Sequence, residues 1–360
     1  MIIVLVVFLL ICLFGIKYHH KGNPDFFDQA QTNCIRGIFA LIIFMSHFNS
    51  YISEWGGIGD GFYRNFILRI GQMMVAPFLF ISGYGIYLSA QKKKNYVKEF
   101  PKKRILKTYL FFASAVLLYL IFNLIMHNEY SLKDNILAFT GWKSIGNSNW
   151  FMFAILFLYI ATYVSALITK KNISRKTIAL VFIATIAYIV GMKIKMRGAT
   201  WWYDTALCFP TGMLLASYKH EIASFFSKHR IVSAVVALGI FASLYVVERK
   251  MSLGALFPLV YNLLSCAFCF LIVRLSFSFS IGNQFLAFLG TYGFEIYILQ
   301  RIPHSVFSSM HLPSKVSFFF LSLGATLLIS IAFKYATEKI LTPLSKKSEA
   351  NTKSLAGKKK

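Results

Sequence analysis

The stretch 36-RGIFALIIFMSHF-48 sets an arginine and a histidine into an otherwise apolar helical run. At about 100° per residue, the step from Arg36 to His47 brings a helix back to within about 20° of its starting direction. The two side chains therefore share one face. A rise of about 1.5 Å per residue separates them by roughly 16 Å along the axis, about half the hydrocarbon thickness of a bilayer. One sits near an interface, the other deep.

The rest of the chain agrees with a membrane setting. Of its 360 residues, 57% are hydrophobic and 17% aromatic, more apolar than a soluble domain, whose share is nearer half. The fold class this implies is an all-α polytopic transmembrane helix bundle of about 10–11 spans without a separate soluble domain. Apolar spans read at roughly 1–16, 34–53, 72–91, 107–127, 150–169, 177–195, 204–219, 230–248, 255–273, 285–302 and 316–335. Residues 1–16 lack a basic n-region and a small-residue cleavage site, which fits a retained anchor better than a removed signal peptide. The expected organisation is an N-terminal anchor helix and cytoplasmic linker (1–27), a membrane domain (28–335) and a basic, disordered cytoplasmic tail (336–360).

Lys and Arg total 38 against 13 Asp and Glu, a net charge of +25. Spread over a soluble surface this would suggest nucleic acid. Here it is concentrated in loops on one side of the spans, above all in 91-QKKKNYVKEFPKKRILK-107 and the tail ending in GKKK. The positive-inside rule assigns those loops and the C-terminus to the cytoplasm, in contact with membrane lipids, and makes nucleic acid an unneeded partner. The expected location is the plasma membrane, and the frequent Lys, Ile, Phe and Asn fit a bacterial one.

Cys12, Cys34, Cys208, Cys266 and Cys269 lie within or at the ends of apolar spans. The one C-x-x-C has no second pair or histidine nearby, so core packing is expected and no metal site. The glycines of 56-GGIGDG-61 match no nucleotide fingerprint and read as a turn.

An ionisable group inside a bilayer costs about 2.5–3.5 kcal/mol on insertion scales, which makes each one a functional candidate. The candidates are Arg36, His47, Asp204, Glu295 and Arg301. An uncharged imidazole at His47, among Ile42, Ile43, Phe44, Met45 and Phe48, can act as a general base towards a hydroxyl, or it can serve packing by bonding to a neighbouring helix. Arg36 can snorkel to lipid phosphate or hold a phosphorylated donor through its planar fork. Its shared face with His47 favours the second: one cavity with phosphate at its mouth and a proton acceptor farther in. Glu295 can orient His47, bind an acceptor, or pair with Arg301 or another helix. The stretch 77-PFLFISGYGIYL-88 places Ser82 and Tyr84 in a helix whose proline and glycines suit a kink or a close crossing.

Taken together, R-x10-H, PFLFISGYGIYL, the basic KKRILK segment, 149-NWFMFAILFLY-159, 208-CFPTGMLLA-216 and 289-LGTYGFEIYILQ-300 resemble, in order, the membrane-bound acyltransferase-3 family over about residues 28–335. Members are multi-helix enzymes that move an acyl group, often acetyl, from cytoplasmic acyl-coenzyme A to a hydroxyl of a glycan or related acceptor. The resemblance implies catalytic roles for Arg36 and His47, and donor-binding roles for Arg104 with Lys103 and Lys107. Ser82, Tyr84, Asn149, Trp150, Glu295 and Gln300 are candidates for the acceptor path. Trp142, Trp150, Trp201 and Trp202 at the outer boundary suit either sugar stacking or interfacial belting.

Two departures stand out. Gln300 falls where many members have a histidine, and residues 1–16 add a span to the usual ten. Some relatives also carry a fused periplasmic esterase-like domain that has no counterpart here, so the chain completes transfer alone or with a partner from polysaccharide assembly. The expected activity is O-acylation, of O-acetyl type, of a cell-surface glycan or glycolipid, with acyl-CoA as donor substrate and no permanently bound cofactor. The alternatives are a proton-coupled transporter or flippase using the same intramembrane charges, and a non-catalytic partner in an assembly complex.

Overall fold

The computed structural model describes residues 1–357 apart from 24, 171 and 311, with side chains described to residue 340. Helices α1 Ile2–Leu13, α2 Gln29–Phe48, α3 Asp60–Ile70, α4 Ala76–Lys92, α5 Tyr96–Phe100 and α6 Lys107–Ile125 make up the first third. The middle holds α7 Leu132–Ala138, α8 Trp150–Ile168, α9 Arg175–Lys195, α10 Cys208–Ser217, α11 Lys219–Lys228 and α12 Arg230–Lys250. The last part holds α13 Phe257–Ser278, α14 Gln284–Thr291, α15 Gly293–Leu299, α16 Arg301–Ser309 and α17 Lys315–Gly357.

Among the described residues, eight helical segments are long and apolar enough to cross a membrane. The protein is a multi-pass membrane helix bundle, as its composition requires. All eleven apolar stretches are helical, but three are not full spans. The stretch at 1–16 forms α1, with 12 residues, and that at 204–219 forms α10, with 10. The stretch at 285–302 is broken at Tyr292 and again at Gln300. Broken helices persist at membrane depth only where protein covers the freed backbone groups, and α14 lies against α2. Lipid-facing surfaces are apolar, as on α12, where Ile231, Val232, Val235 and Val236 are exposed.

Two close crossings organise the interior. Gly83 of α4 lies on the Phe209 carbonyl of α10, and Gly212 of α10 lies on the Phe80 carbonyl of α4. The second crossing repeats the arrangement: Gly37 of α2 meets the Leu286 carbonyl of α14, and Gly290 of α14 meets the Asn33 carbonyl of α2. At all four positions any side chain would collide with backbone, so each glycine is needed for its helices to touch. Each crossing clasps a long helix to a short one.

The start of α2 is fixed locally. Phe27 is buried with φ of 56°, in the left-handed region, and it turns the chain so that Asp28 Oδ1 accepts from the Gln31 N–H at 2.8 Å. Loss of this N-cap in Asp28→Ala is expected to cost about 1 kcal/mol, read as a lower apparent unfolding midpoint, with Asp28→Asn close to wild type.

One small departure from an all-helical chain is an antiparallel ribbon of β1 Ile16–Tyr18 and β2 Phe279–Ile281, with Lys17 opposite Ser280. Asn283 reinforces it by donating to the Ile11 carbonyl at 2.7 Å. The polar tail falls mainly outside the residues with described side chains, the backbone of α17 being helical to Gly357.

Candidate active site

A cavity of about 680 Å³ runs between the two clasped pairs. It follows α2 from Asp28 to Ile43 and α4 in the opposite direction, from Lys92 back to Val75, with α8 and α15 closing it. Its mouth is basic: Lys92, Lys93, Arg104 and Lys219 line it with Arg36, against one acid, Asp28. Its far end is aromatic, formed by Phe78, Phe151 and Tyr297, with Phe151 and Tyr297 ring centres 5.4 Å apart.

Both arginines expected in donor binding face this space. Arg36 holds the Asn33 Oδ1, and its buried Nε has no partner among the described residues. Arg104 donates from Nε to the Tyr96 hydroxyl at 3.3 Å. It sits in a π-helical turn, Pro101–Leu106, a wider winding often found at functional sites. Lys219 Nζ lies 5.1 Å from the Phe26 ring centre and 5.9 Å from that of Tyr84. Burial pulls its ammonium below the ordinary lysine range, and Asp28 and Asp25 oppose that shift.

His47 is on the same continuous helix as Arg36 but stands beyond the aromatic end, outside the residues that line the cavity. Its ring centre is 6.0 Å from that of Tyr297. Its Nδ1 is enclosed without a hydrogen-bond partner among the described residues. Tyr297 thus stands between the cavity and the histidine ring.

Behind Tyr297 lies a second polar group. Arg301 Nε donates to the Ser148 Oγ at 3.2 Å, and Gln300 Nε2 donates to the Tyr297 carbonyl at 3.1 Å. His304 is fully buried against Phe44 at 4.5 Å, Tyr51 at 5.2 Å and Phe48 at 5.6 Å between ring centres.

The remaining expected residues divide. Ser82 and Tyr84 line the cavity, but Tyr84 stands at the basic mouth, under Lys219, and the Ser82 Oγ lies 2.9 Å from the Tyr159 hydroxyl. Lys103 and Lys107 are exposed outside the cavity walls, bonded to Glu99 at 2.9 Å and facing Glu338 at 3.9 Å. Asn149 braces the loop before α8 by donating to the Gly141 carbonyl at 2.9 Å, with Trp150 packed against Phe151. Glu295 faces Lys334 of α17 at 3.7 Å, so of the two pairings considered, Arg301 or another helix, it makes the second. The buried Asp204 accepts from the Thr200 hydroxyl at 3.4 Å, away from the cavity.

Lys219, Tyr159, Tyr297, Ser148 and His304 were not singled out from sequence. His304 carried a signal: four residues after Gln300, it shares that residue's helical face. Lys219 carried none, since only the return of α10 brings it to the mouth.

A basic cavity thus ends close to a half-buried histidine in a multi-pass membrane bundle. The family model described as "Acyltransferase domain", acyltransferase-3, matches residues 29–335, and the chain belongs to this family of membrane acyltransferases. Neither the curated proteins nor the solved structures contain a match.

Proposed function

We propose that the protein transfers an acyl group, acetyl in the simplest case, from acyl-CoA to a hydroxyl of a cell-surface carbohydrate. The observation that carries this reading is the cavity itself: a cluster of cations at one end, and at the other an aromatic wall in contact with His47. By the positive-inside rule the basic mouth opens to the cytoplasm, where the donor is made. The coenzyme's phosphates meet Arg36, Arg104 and Lys219, and a narrow apolar arm fits the space towards Ile43 and Phe151.

The acceptor hydroxyl attacks the thioester carbonyl carbon while His47 accepts its proton. The C–S bond then breaks, and the departing thiolate takes a proton, leaving an ester and free coenzyme. Tyr297 must move aside or share its place with the thioester for these groups to meet.

The test is transfer of labelled acetyl from acetyl-CoA to envelope glycans by protein in liposomes, with the product identified by its lability to mild alkali. Glycan uptake by the liposomes without donor, and no ester formed, would replace this reading with transport. Arg36→Gln and Arg104→Gln are each expected to raise KM for acetyl-CoA about tenfold or more, since a charge-assisted hydrogen bond contributes about 1.5–3 kcal/mol. The same variants should lose less with acetyl-pantetheine, which lacks the nucleotide phosphates. An equal loss with both donors would remove these arginines from phosphate binding.

A further inference from the structure

The polar group behind Tyr297 has an electrostatic peculiarity. Arg301 takes part in no ion pair among the described residues, and its hydrogen bond goes to the neutral Ser148. Glu295, six positions earlier, points to Lys334. Arg301 is half-buried, and a partly desolvated cation without an opposite charge is less well compensated than one in water.

The atoms around it are also short of partners. Among the described residues, the Gln300 Oε1 and both ring nitrogens of His304 make no hydrogen bond, and the buried hydroxyls of Tyr119 and Tyr297 make none of good geometry, although Tyr119 faces the Arg301 backbone and Tyr297 faces Ser148. Buried polar atoms are nearly always paired in folded proteins. Several such atoms thus gather around one cation that has no acid beside it. Tyr51 lies 5.2 Å from His304 between ring centres, and Tyr297 lies 6.0 Å from His47. The cluster thus reaches the candidate base from the side away from the basic cavity.

We propose that this cluster binds the acceptor, and that it selects an acceptor bearing a negative charge, a carboxylate or a phosphate, near the hydroxyl to be acylated. The inference rests on the acyltransferase reading for the word acceptor, but the anion preference stands on Arg301 and its neighbours. A neutral sugar would satisfy the tyrosines and His304 and leave the guanidinium unmatched. An anionic one satisfies both. Arg301 supplies charge and a fork of donors, Tyr119 and Tyr297 supply hydroxyl donors, and His304 supplies one ring N–H.

The experiment uses full-length protein in nanodiscs and three probes on one ring: glucose, glucuronate and glucose 6-phosphate. Equilibrium binding is measured first, without donor. At least one anionic probe should bind ten times or more tighter than glucose, and the better of the two identifies carboxylate or phosphate. Arg301→Gln should bring the probes to within about twofold of one another. Arg301→Lys, which keeps charge without the fork, should keep a preference of about threefold or more. Equal binding of the three probes to wild type would overturn the proposal, as would a preference that survives in Arg301→Gln. Should the Gln variant fail to fold, wild type against the Lys variant decides by the same criteria. Acetyl transfer to each probe is measured second. An anion preference in binding, with no transfer to any probe or glycan, would remove the acyltransferase reading and leave the anion site standing. Efficient transfer to glucose with no anion preference would do the reverse.

Discussion

His47→Gln is expected to lower the rate of acyl transfer at saturating donor by about 100-fold or more, while KM for acetyl-CoA changes by less than about threefold. Glutamine keeps a comparable volume and a polar end but cannot take a proton at neutral pH. The substitution therefore separates base catalysis, commonly contributing about 10²–10⁴ in rate, from packing. The donor's cations are at the other end of the cavity, which is why KM should hold. A rate within about twofold of wild type would withdraw the base from His47 and leave it a packing role against Tyr297.

Gly290→Val should have the largest effect on stability. A Cβ at this position runs into the Asn33 carbonyl oxygen, which is backbone and cannot rotate away. The α2 and α14 helices must separate, breaking the reciprocal contact at Gly37. Overpacking of this kind costs about 3 kcal/mol, which lowers the apparent unfolding midpoint in detergent by about 6 °C or more. Gly239→Val is the control, because no atom lies within 4 Å of a Cβ there. Equal midpoints for the two variants would mean that the α2–α14 crossing is not the constraint described.

Much of this was legible before any coordinates. Helical rotation put Arg36 and His47 on one face, and α2 is continuous through both. Apolar run lengths located the helices, because bilayer thickness imposes them. The partner of Glu295 was not legible: pairing with Arg301 and pairing with another helix both stayed open, and the contact is with Lys334 of α17. The breaks at Tyr292 and Gln300 were hidden, because an apolar run reads alike whether its helix is whole or interrupted. Distance along the chain hid the rest. Ser148 meets Arg301 across 153 positions, and Lys219 reaches Tyr84 only after α10 has crossed α4. Pairings between segments so far apart follow from how helices assemble, which no single stretch records.

The aromatic layer of Tyr297 and Phe151 has a further consequence, an electrical one. Were water to fill the cavity from its basic mouth, it would carry the potential of one aqueous phase towards this layer and narrow the width over which the membrane voltage falls. A charge crossing the full drop gains or loses about 2.3 kcal/mol per 100 mV. His47 sits against that layer, so a proton arriving from the far side and leaving through the cavity would do work in a concentrated field. The turnover of such a protein in sealed vesicles would then rise or fall with an imposed diffusion potential, even though its substrates stayed at fixed concentrations.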